Sequence, residues 1–323
     1  MDKKKFQVRF LGVRGSIPTP MSSMQVEEKI LFALEQAKPE DIKDTAARKA
    51  FVDRLPEHVK GCIGGNSSCV QMEVGGQHLI FDGGSGIRGL GLEWMETEFG
   101  RGEGRGHIFF SHTHWDHILG IPFFVPLYVK GNHFTVYGVH PDIKDRLIGQ
   151  QKLQYFPVSF DSLSSTIDFH VLTAEKDCKV GTVSVRWKEM AHPGKSYSYR
   201  VEYQGKSVVY ATDAEYKSLG SAELRPTIDF FKDADLLIFD SQYTFTEGIE
   251  KKDWGHSSAY IGVDIALEAN VKQLALFHHE PTYSDFKLME VYELTRKYLN
   301  VVAPQSPLKL ILSTEGNSLD LLE

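Results

Sequence analysis

Along the chain, short runs that are apolar or alternate apolar with polar end in Gly, Asp or Ser, and such runs are the signature of strands. Gln7 to Leu11, Ser68 to Val74, Gln77 to Asp82 and His107 to Ser111 fit this pattern in the first half. Gly75-Gly76 joins the second run to the third as a tight hairpin turn. Apolar positions spaced by three and four predict a helix over Gly89 to Phe99. Strand runs then recur at Phe134 to Tyr137, Val183 to Ala191, Tyr197 to Tyr203, Ser207 to Ala211, Leu236 to Asp240, Gln273 to Phe277 and Leu308 to Leu312. They alternate with helices, of which Ser257 to Ala269 and Phe286 to Tyr298 are the clearest. Hairpin-linked strands in each half, with helices between, predict an α/β fold of two mixed sheets packed face to face and covered outside by helices.

Residues 22–60 depart from this rhythm. Val26, Ile30, Leu31, Leu34 and Ala37 keep a helical stripe, Pro39 suits a helix start, and Ile42, Ala46, Ala50 and Phe51 carry a second stripe. The reading is a helical hairpin inserted within one domain spanning 1–323, with its charge nearly balanced. It serves as a lid, as a dimer contact or as solvated decoration.

Composition narrows the class. With 41% hydrophobic and 24% charged residues in 323, collagen-like, coiled-coil and wholly disordered chains are excluded. The longest apolar run, Ile118 to Val129, is broken by Pro122 and Pro126 and is shorter than the roughly 20 residues of a membrane span. The basic tip Met1 to Lys5 leads into an alternating strand pattern instead of a signal peptide, so a cytoplasmic protein with no membrane association is expected. Cys62, Cys69 and Cys178, odd in number and without a Cys-x-x-Cys pair, read as reduced buried thiols. A net charge of -7 disfavours long nucleic acid as a partner and leaves room for a small anionic substrate.

The chemistry concentrates in Ser111-His112-Thr113-His114-Trp115-Asp116-His117, three imidazoles and a carboxylate directly after an apolar strand. That donor set suits zinc and similar first-row metals with a coordination position left open to water. Three later strand ends supply further donors: His192 after Val183 to Met190, Asp213 after Ser207 to Tyr210, and the pair His278-His279 after Gln273 to Leu276. Adjacent histidines point to opposite sides of a strand, so only one of that pair can ligate.

These residues resemble the metallo-β-lactamase fold hydrolases, whose signature is the run His112-x-His114-x-Asp116-His117, followed in the family's order by His192, Asp213 and His278. Asp82 matches the aspartate that precedes the signature and orients a ligand histidine. Trp254-Gly255-His256-Ser257-Ser258-Ala259 is similar to the Gly-His-Ser-Thr-Ala motif of ribonuclease Z and related phosphodiesterases. Gly12 to Pro18 with Gly64 to Cys69 resembles the bacterial and phage branch associated with cyclic nucleotide hydrolysis. The resemblance spans residues 6–315 apart from the insertion.

It implies a metallo-β-lactamase αβ/βα four-layer sandwich holding two divalent metal ions, Zn2+ or alternatively Mn2+. His112, His114 and His192 fall on one ion, Asp116, His117 and His278 on the other, and Asp213 bridges. It also implies Asp116 and His256 as catalytic residues, with Asp82 and Asp240 supporting them, and a homodimer. His256 meets a phosphoryl oxygen, protonates the departing alkoxide or simply starts the helix that follows, and Asp240 either orients it or is a turn aspartate. Arg14 and Ser16, in the glycine loop, either meet a phosphate or simply turn the chain. The expected activity is hydrolysis of a small cyclic phosphodiester, a cyclic nucleotide, by a metal-bridging hydroxide. The alternative is a ribonuclease Z-like transfer-RNA 3′-processing endonuclease, whose Gly/Pro-rich basic arm has no counterpart between Ile118 and Ala191.

Overall fold

The computed structural model describes residues 5–173, 177–216 and 221–322; the basic tip at 1–4 lies outside them. Among the described residues, fourteen strands form two seven-stranded sheets. The first sheet contains β1 (Phe6–Gly12), β2 (Cys69–Val74), β3 (Gln77–Phe81), β4 (Arg105–Phe110), β5 (His133–Gly138) and β6 (Thr166–Val171). The second contains β7 (Cys178–Val180), β8 (Val183–Met190), β9 (Ser196–Tyr203), β10 (Lys206–Ala211), β11 (Leu236–Asp240), β12 (Gln273–Phe277) and β13 (Lys309–Leu312). The last strand, β14 (Ser318–Asp320), returns to the first sheet beside β1.

Read across, the sheets run β14-β1-β2-β3-β4-β5-β6 and β7-β8-β9-β10-β11-β12-β13. In both, the first three pairings are antiparallel and the last three parallel. The halves thus share one pairing pattern, as the rough two-half symmetry of the sequence suggests. Gly75 and Gly76 turn the β2–β3 hairpin at φ 54° and 76°, the left-handed pair that a two-residue hairpin requires.

Alternation sends one side of each strand inward. Phe6, Phe10, Phe81, Phe109, Tyr199 and Tyr210 fill the space between the sheets. Outside the first sheet lies α5 (Ile87–Trp94), burying Ile87, Leu90 and Trp94 against it. Outside the second lie α8 (Ser221–Phe231), α10 (Ala259–Glu268) and α11 (Asp285–Val302), through Ile228, Phe231, Val263 and Leu299. The result is the four-layer αβ/βα sandwich. Among the described residues no helix is long and apolar enough to cross a membrane. Shorter helices α6 (Trp115–Ile118), α7 (Ile143–Gln150) and α9 (Phe245–Glu250) follow strand ends.

The insertion is helical but is not a two-helix hairpin. It holds α1 (Ser23–Gln36), α2 (Pro39–Ile42), α3 (Thr45–Arg54) and α4 (Glu57–Lys60). The expected apolar stripe of α1 stays outside: Val26, Ile30, Leu31 and Leu34 are all exposed, as is Ile42. What turns inward is Lys29, whose Nζ lies 2.6 Å from the buried Asp285 carboxylate and 2.6 Å from the Gly61 carbonyl. A buried ion pair thus sets the rotation of α1, leaving Phe32 and Ala33 to join Phe51, Leu55, Val59 and Phe286 in a small cluster. Two further expectations change: the helix over Gly89 to Phe99 ends at Trp94, and Cys62 is exposed, Cys69 and Cys178 alone being buried.

Candidate metal centre

All the residues singled out as metal ligands or as their supports sit at the carboxyl ends of strands, along one rim of the sandwich, and His256 joins them from the loop between α9 and α10. Such strand ends are where α/β folds gather their ligands. Asp82 follows β3, His112 to His117 follow β4, His192 follows β8, Asp213 follows β10, Asp240 ends β11 and His278 follows β12. Donor atoms of His112, His114, His192 and Asp213 lie within 4.8 Å of one another, as do those of Asp116, His117, Asp213 and His278. Asp213 belongs to both groups, its Oδ1 3.1 Å from Nε2 of His117 and of His278 and its Oδ2 3.7 Å from Nε2 of His112 and of His192.

The histidines are held by their far nitrogens. Ser111 Oγ–H donates to Asp82 Oδ2, so its oxygen is left to accept from His112 Nδ1–H at 3.1 Å. His117 Nδ1–H donates to Asp82 at 2.7 Å, His192 Nδ1–H to the Gly255 carbonyl at 2.9 Å, and His278 Nδ1–H to Gln242 Oε1 at 3.1 Å. In the neutral form of each ring Nε2 is therefore the nitrogen without a hydrogen, and all four converge on carboxylate oxygens that are also acceptors. Nε2 of His112 and of His117 is buried and makes no hydrogen bond, although His117 Nε2 lies 3.1 Å from both Asp116 and Asp213. Acceptors facing acceptors in a buried site require a cation between them.

Burial works against the charged form of His117, yet Asp116, Asp213 and Asp82 hold its pKa well above the ordinary value. The same carboxylates that would hold a proton on His117 Nε2 would hold a metal ion there in its place, so proton and metal compete for that nitrogen. Burial raises and His117 lowers the carboxyl of Asp116, and Asp213 behaves alike, so both stay ionised far below the usual range. The donor set, imidazole with carboxylate, fits a divalent transition metal.

His278 and His279 divide as adjacent residues should. His279 is buried facing away, its Nε2 2.9 Å from the Ser313 carbonyl, and burial pushes its pKa down to about 3. His278 sits at φ 60° and is pressed by Gly15, where a Cβ would stand 2.5 Å from the imidazole. Arg14 meets no solvent: Nε donates to Gly64 and Nη1 to the Glu280 and Tyr283 carbonyls, so it fastens the glycine loop instead of waiting for phosphate. The loop in turn gives the Ser16 N–H to Asp116 Oδ2 at 2.8 Å.

His256 stands beside the cluster, its ring centroid 5.0 Å from that of His278 and 5.3 Å from that of His192. Its Nδ1 lies 2.8 Å from the fully buried Asp240, which also accepts from the Ala214 and Gln242 N–H groups. Burial would lower its pKa, but Asp240 first and Asp213 next bring it up to about 9. Ser258 caps α10, and Ser257 Oγ–H donates to the Ala214 carbonyl, tying this loop to the Asp213 turn.

Ser111 and Gln242 are the functional side chains that sequence reasoning passes over. Gln242 is nearly fully buried; its Oε1 faces His278, while its amide hydrogens go to Ser16 Oγ at 3.2 Å and Glu280 Oε2 at 3.0 Å. The reverse amide orientation would set its oxygen against the Glu280 carboxylate, so the tautomer of His278 is fixed. The only signal in the sequence is position, two residues beyond Asp240 at a strand end.

A four-layer sandwich with an imidazole and carboxylate cluster on its open rim defines a metal-dependent hydrolase of the metallo-β-lactamase fold. The family described as "Beta-lactamase superfamily domain" matches residues 80–279, and this chain belongs to it. It is 29% identical to ribonuclease Z of Sulfurisphaera tokodaii over 227 residues, 57% of this chain and 75% of that protein. It is 25% identical to ribonuclease Z of Haloarcula marismortui over 260 residues, 68% of this chain and 82% of that one. In structure it is similar to the metallo-β-lactamase fold protein YhfI of Bacillus subtilis, with TM-score 0.63 and 18% identity, covering 98% of this chain and 100% of YhfI.

Proposed function

We propose that this protein hydrolyses ribonucleotide phosphodiester bonds in RNA, as the name of its curated relatives suggests, with two divalent ions, zinc first and manganese second. His112, His114 and His192 would hold one ion and Asp116, His117 and His278 the other, with Asp213 shared. The observation that carries the reading is the convergence of unprotonated Nε2 atoms and carboxylates on Asp213, with His256 alongside. When bound, the ions supply a water that is nucleophilic at neutral pH and neutralise charge on the phosphate. The chain's own groups do the rest. Asp82, Ser111, Gln242 and the Gly255 carbonyl hold the imidazoles in one tautomer. His256, charged through Asp240, presents Nε2–H to the departing ribose oxygen, a leaving group that needs a proton.

A second reading, a cyclic nucleotide as substrate, is favoured by the net charge of -7 and by the described part of 119–190. That segment is spent on α7 and on strands β5 to β8 within the sheets. A homodimer is part of the proposal, with the exposed α1 stripe as its seat. The deciding experiment gives metal-loaded protein a precursor transfer RNA with a 3′ extension, alongside a panel of cyclic mononucleotides and dinucleotides. Chelator-sensitive cleavage of the RNA is the expected result. Turnover of cyclic nucleotides alone would move the assignment to the second reading, and turnover of neither would overturn both.

A further inference from the structure

Of the four tryptophans, Trp94 is stacked on Phe99 within the core and Trp187 packs against the inner cluster. The other two stand in solvent, Trp115 at 83% exposure and Trp254 at 63%. An indole carries a large apolar surface that folding ordinarily hides, so two bare ones demand a use, and their placement is specific. Trp115 lies between His114 and Asp116, while Trp254 directly precedes Gly255-His256. The two segments meet at the cluster, His114 Nδ1 lying 3.1 Å from His192 Nε2 and His192 Nδ1–H donating to the Gly255 carbonyl at 2.9 Å. Gly255 is what allows this closeness, since at its φ of 89° a Cβ would stand 2.4 Å from His192 Nδ1.

Each exposed indole thus belongs to a segment that reaches the less buried side of the cluster, where His114 and His192 are the least buried members of the two donor groups that share Asp213. A cation completes the Trp254 side. Lys251 Nζ lies 5.8 Å from the Trp254 ring and 4.4 Å from that of Tyr243, which itself meets His256 edge-on at 5.7 Å. Aromatic faces beside a positive charge are the elements with which proteins hold single-stranded nucleotides.

We infer that Trp254, aided by the exposed Trp115 next to His114, is a stacking subsite for the nucleobase adjoining the scissile phosphate, and that Lys251 faces that nucleotide's phosphate. This rests on the reading of phosphodiester hydrolysis above and adds how the substrate is gripped. Stacking acts on every base alike, so the subsite selects nucleotides over other phosphodiesters without selecting a sequence.

Two esters with the same leaving group test it on metal-loaded protein: thymidine 5′-p-nitrophenyl phosphate and methyl p-nitrophenyl phosphate. Removing one stacking ring costs about 5- to 100-fold in binding. The Trp254→Ala variant should therefore lower the ratio of kcat/KM between the nucleoside and methyl esters by about 10-fold, chiefly through KM for the nucleoside ester. Trp254→Phe should recover most of the ratio, which a merely structural lesion would not. Independently, adenosine monophosphate should quench tryptophan fluorescence of the wild type, and the quench should shrink in Trp254→Ala and vanish in the Trp115→Ala/Trp254→Ala double variant. An unchanged substrate ratio, or quenching that survives in the double variant, overturns the subsite. Loss of all ester hydrolysis with quenching intact would instead refute the phosphodiesterase reading and leave the base site standing.

Discussion

Asp82 accepts four hydrogen bonds, from the Ser111 N–H and Oγ–H, His117 Nδ1–H and Tyr210 O–H, on a backbone held at φ 59°. One carboxylate thus orients two of the imidazole donors, directly at His117 and through Ser111 at His112. Gln242 does the same for His278 alone. Support of this kind typically carries 10- to 100-fold in metal affinity. Gln242→Leu should therefore weaken one ion by about that factor and leave the other in place, measured as metal bound per chain against a graded chelator. Equal loss of both ions would mean that Gln242 supports the whole rim. His256→Ala should lower kcat by about 10²- to 10⁴-fold on a substrate with a ribose leaving oxygen, the usual range for a positioned acid. The loss should be much smaller on a nitrophenyl ester, whose leaving group departs without a proton.

At the level of elements, α1 is docked by charge and not by its stripe. Lys29, Asp285 and Arg14 form a buried set, with Arg14 Nη2 3.6 Å from Asp285, and Arg14 also fastens the loop that reaches Asp116. Removing one partner of a buried pair costs about 3–5 kcal/mol because the other charge is stranded. Lys29→Ala should lower stability by that order in denaturant unfolding, whereas Lys49→Ala, in an exposed pair with Asp53, should change it by less than about 1 kcal/mol. Leu34→Lys on the exposed stripe should convert a dimer to a monomer in sedimentation without altering the metal content.

The strands around the site were legible because burial on one or both faces writes a clear apolar pattern, and β11 and β12 match their expected bounds residue for residue. Three of the four edge strands were not. Thr166–Val171 has no buried residue, and Cys178–Val180 and Ser318–Asp320 are three residues each. The rotation of α1 was hidden for another reason. It depends on Asp285, 256 residues away in the chain, which no local periodicity reports.

For the whole molecule, acid is the informative perturbant away from the metals. His107 is partly buried on the first sheet, and burial, with His133 and His78 nearby, lowers its pKa to about 4. A folded pKa below the unfolded 6.5 means that the unfolded chain binds the proton first. The contribution to stability is therefore complete above pH 6.5 and is lost as pH falls toward about 4. Its size, discounted for partial exposure, is about 1–2 kcal/mol. His107→Gln should flatten the decline in melting temperature over that window, relative to wild type.

The pairing of β14 with β1 has a consequence for how the chain is made. The second half carries its own first strand, β7, whereas the first half borrows its equivalent from residues 318–320, which follow every other strand of both sheets in the chain. Leading into it, Glu315 N–H bonds to the Ile63 carbonyl and Gly316 N–H to the Phe10 carbonyl, so the same final stretch also stitches the base of the insertion. On the ribosome, where domains consolidate from the amino end, the first sheet keeps an open edge along β1 until residues 318–320 emerge. Synthesis order and sheet order are therefore out of step, and a chain relinked so that residues 318–322 precede β1 would bring them into step, closing the early half before the later one is translated.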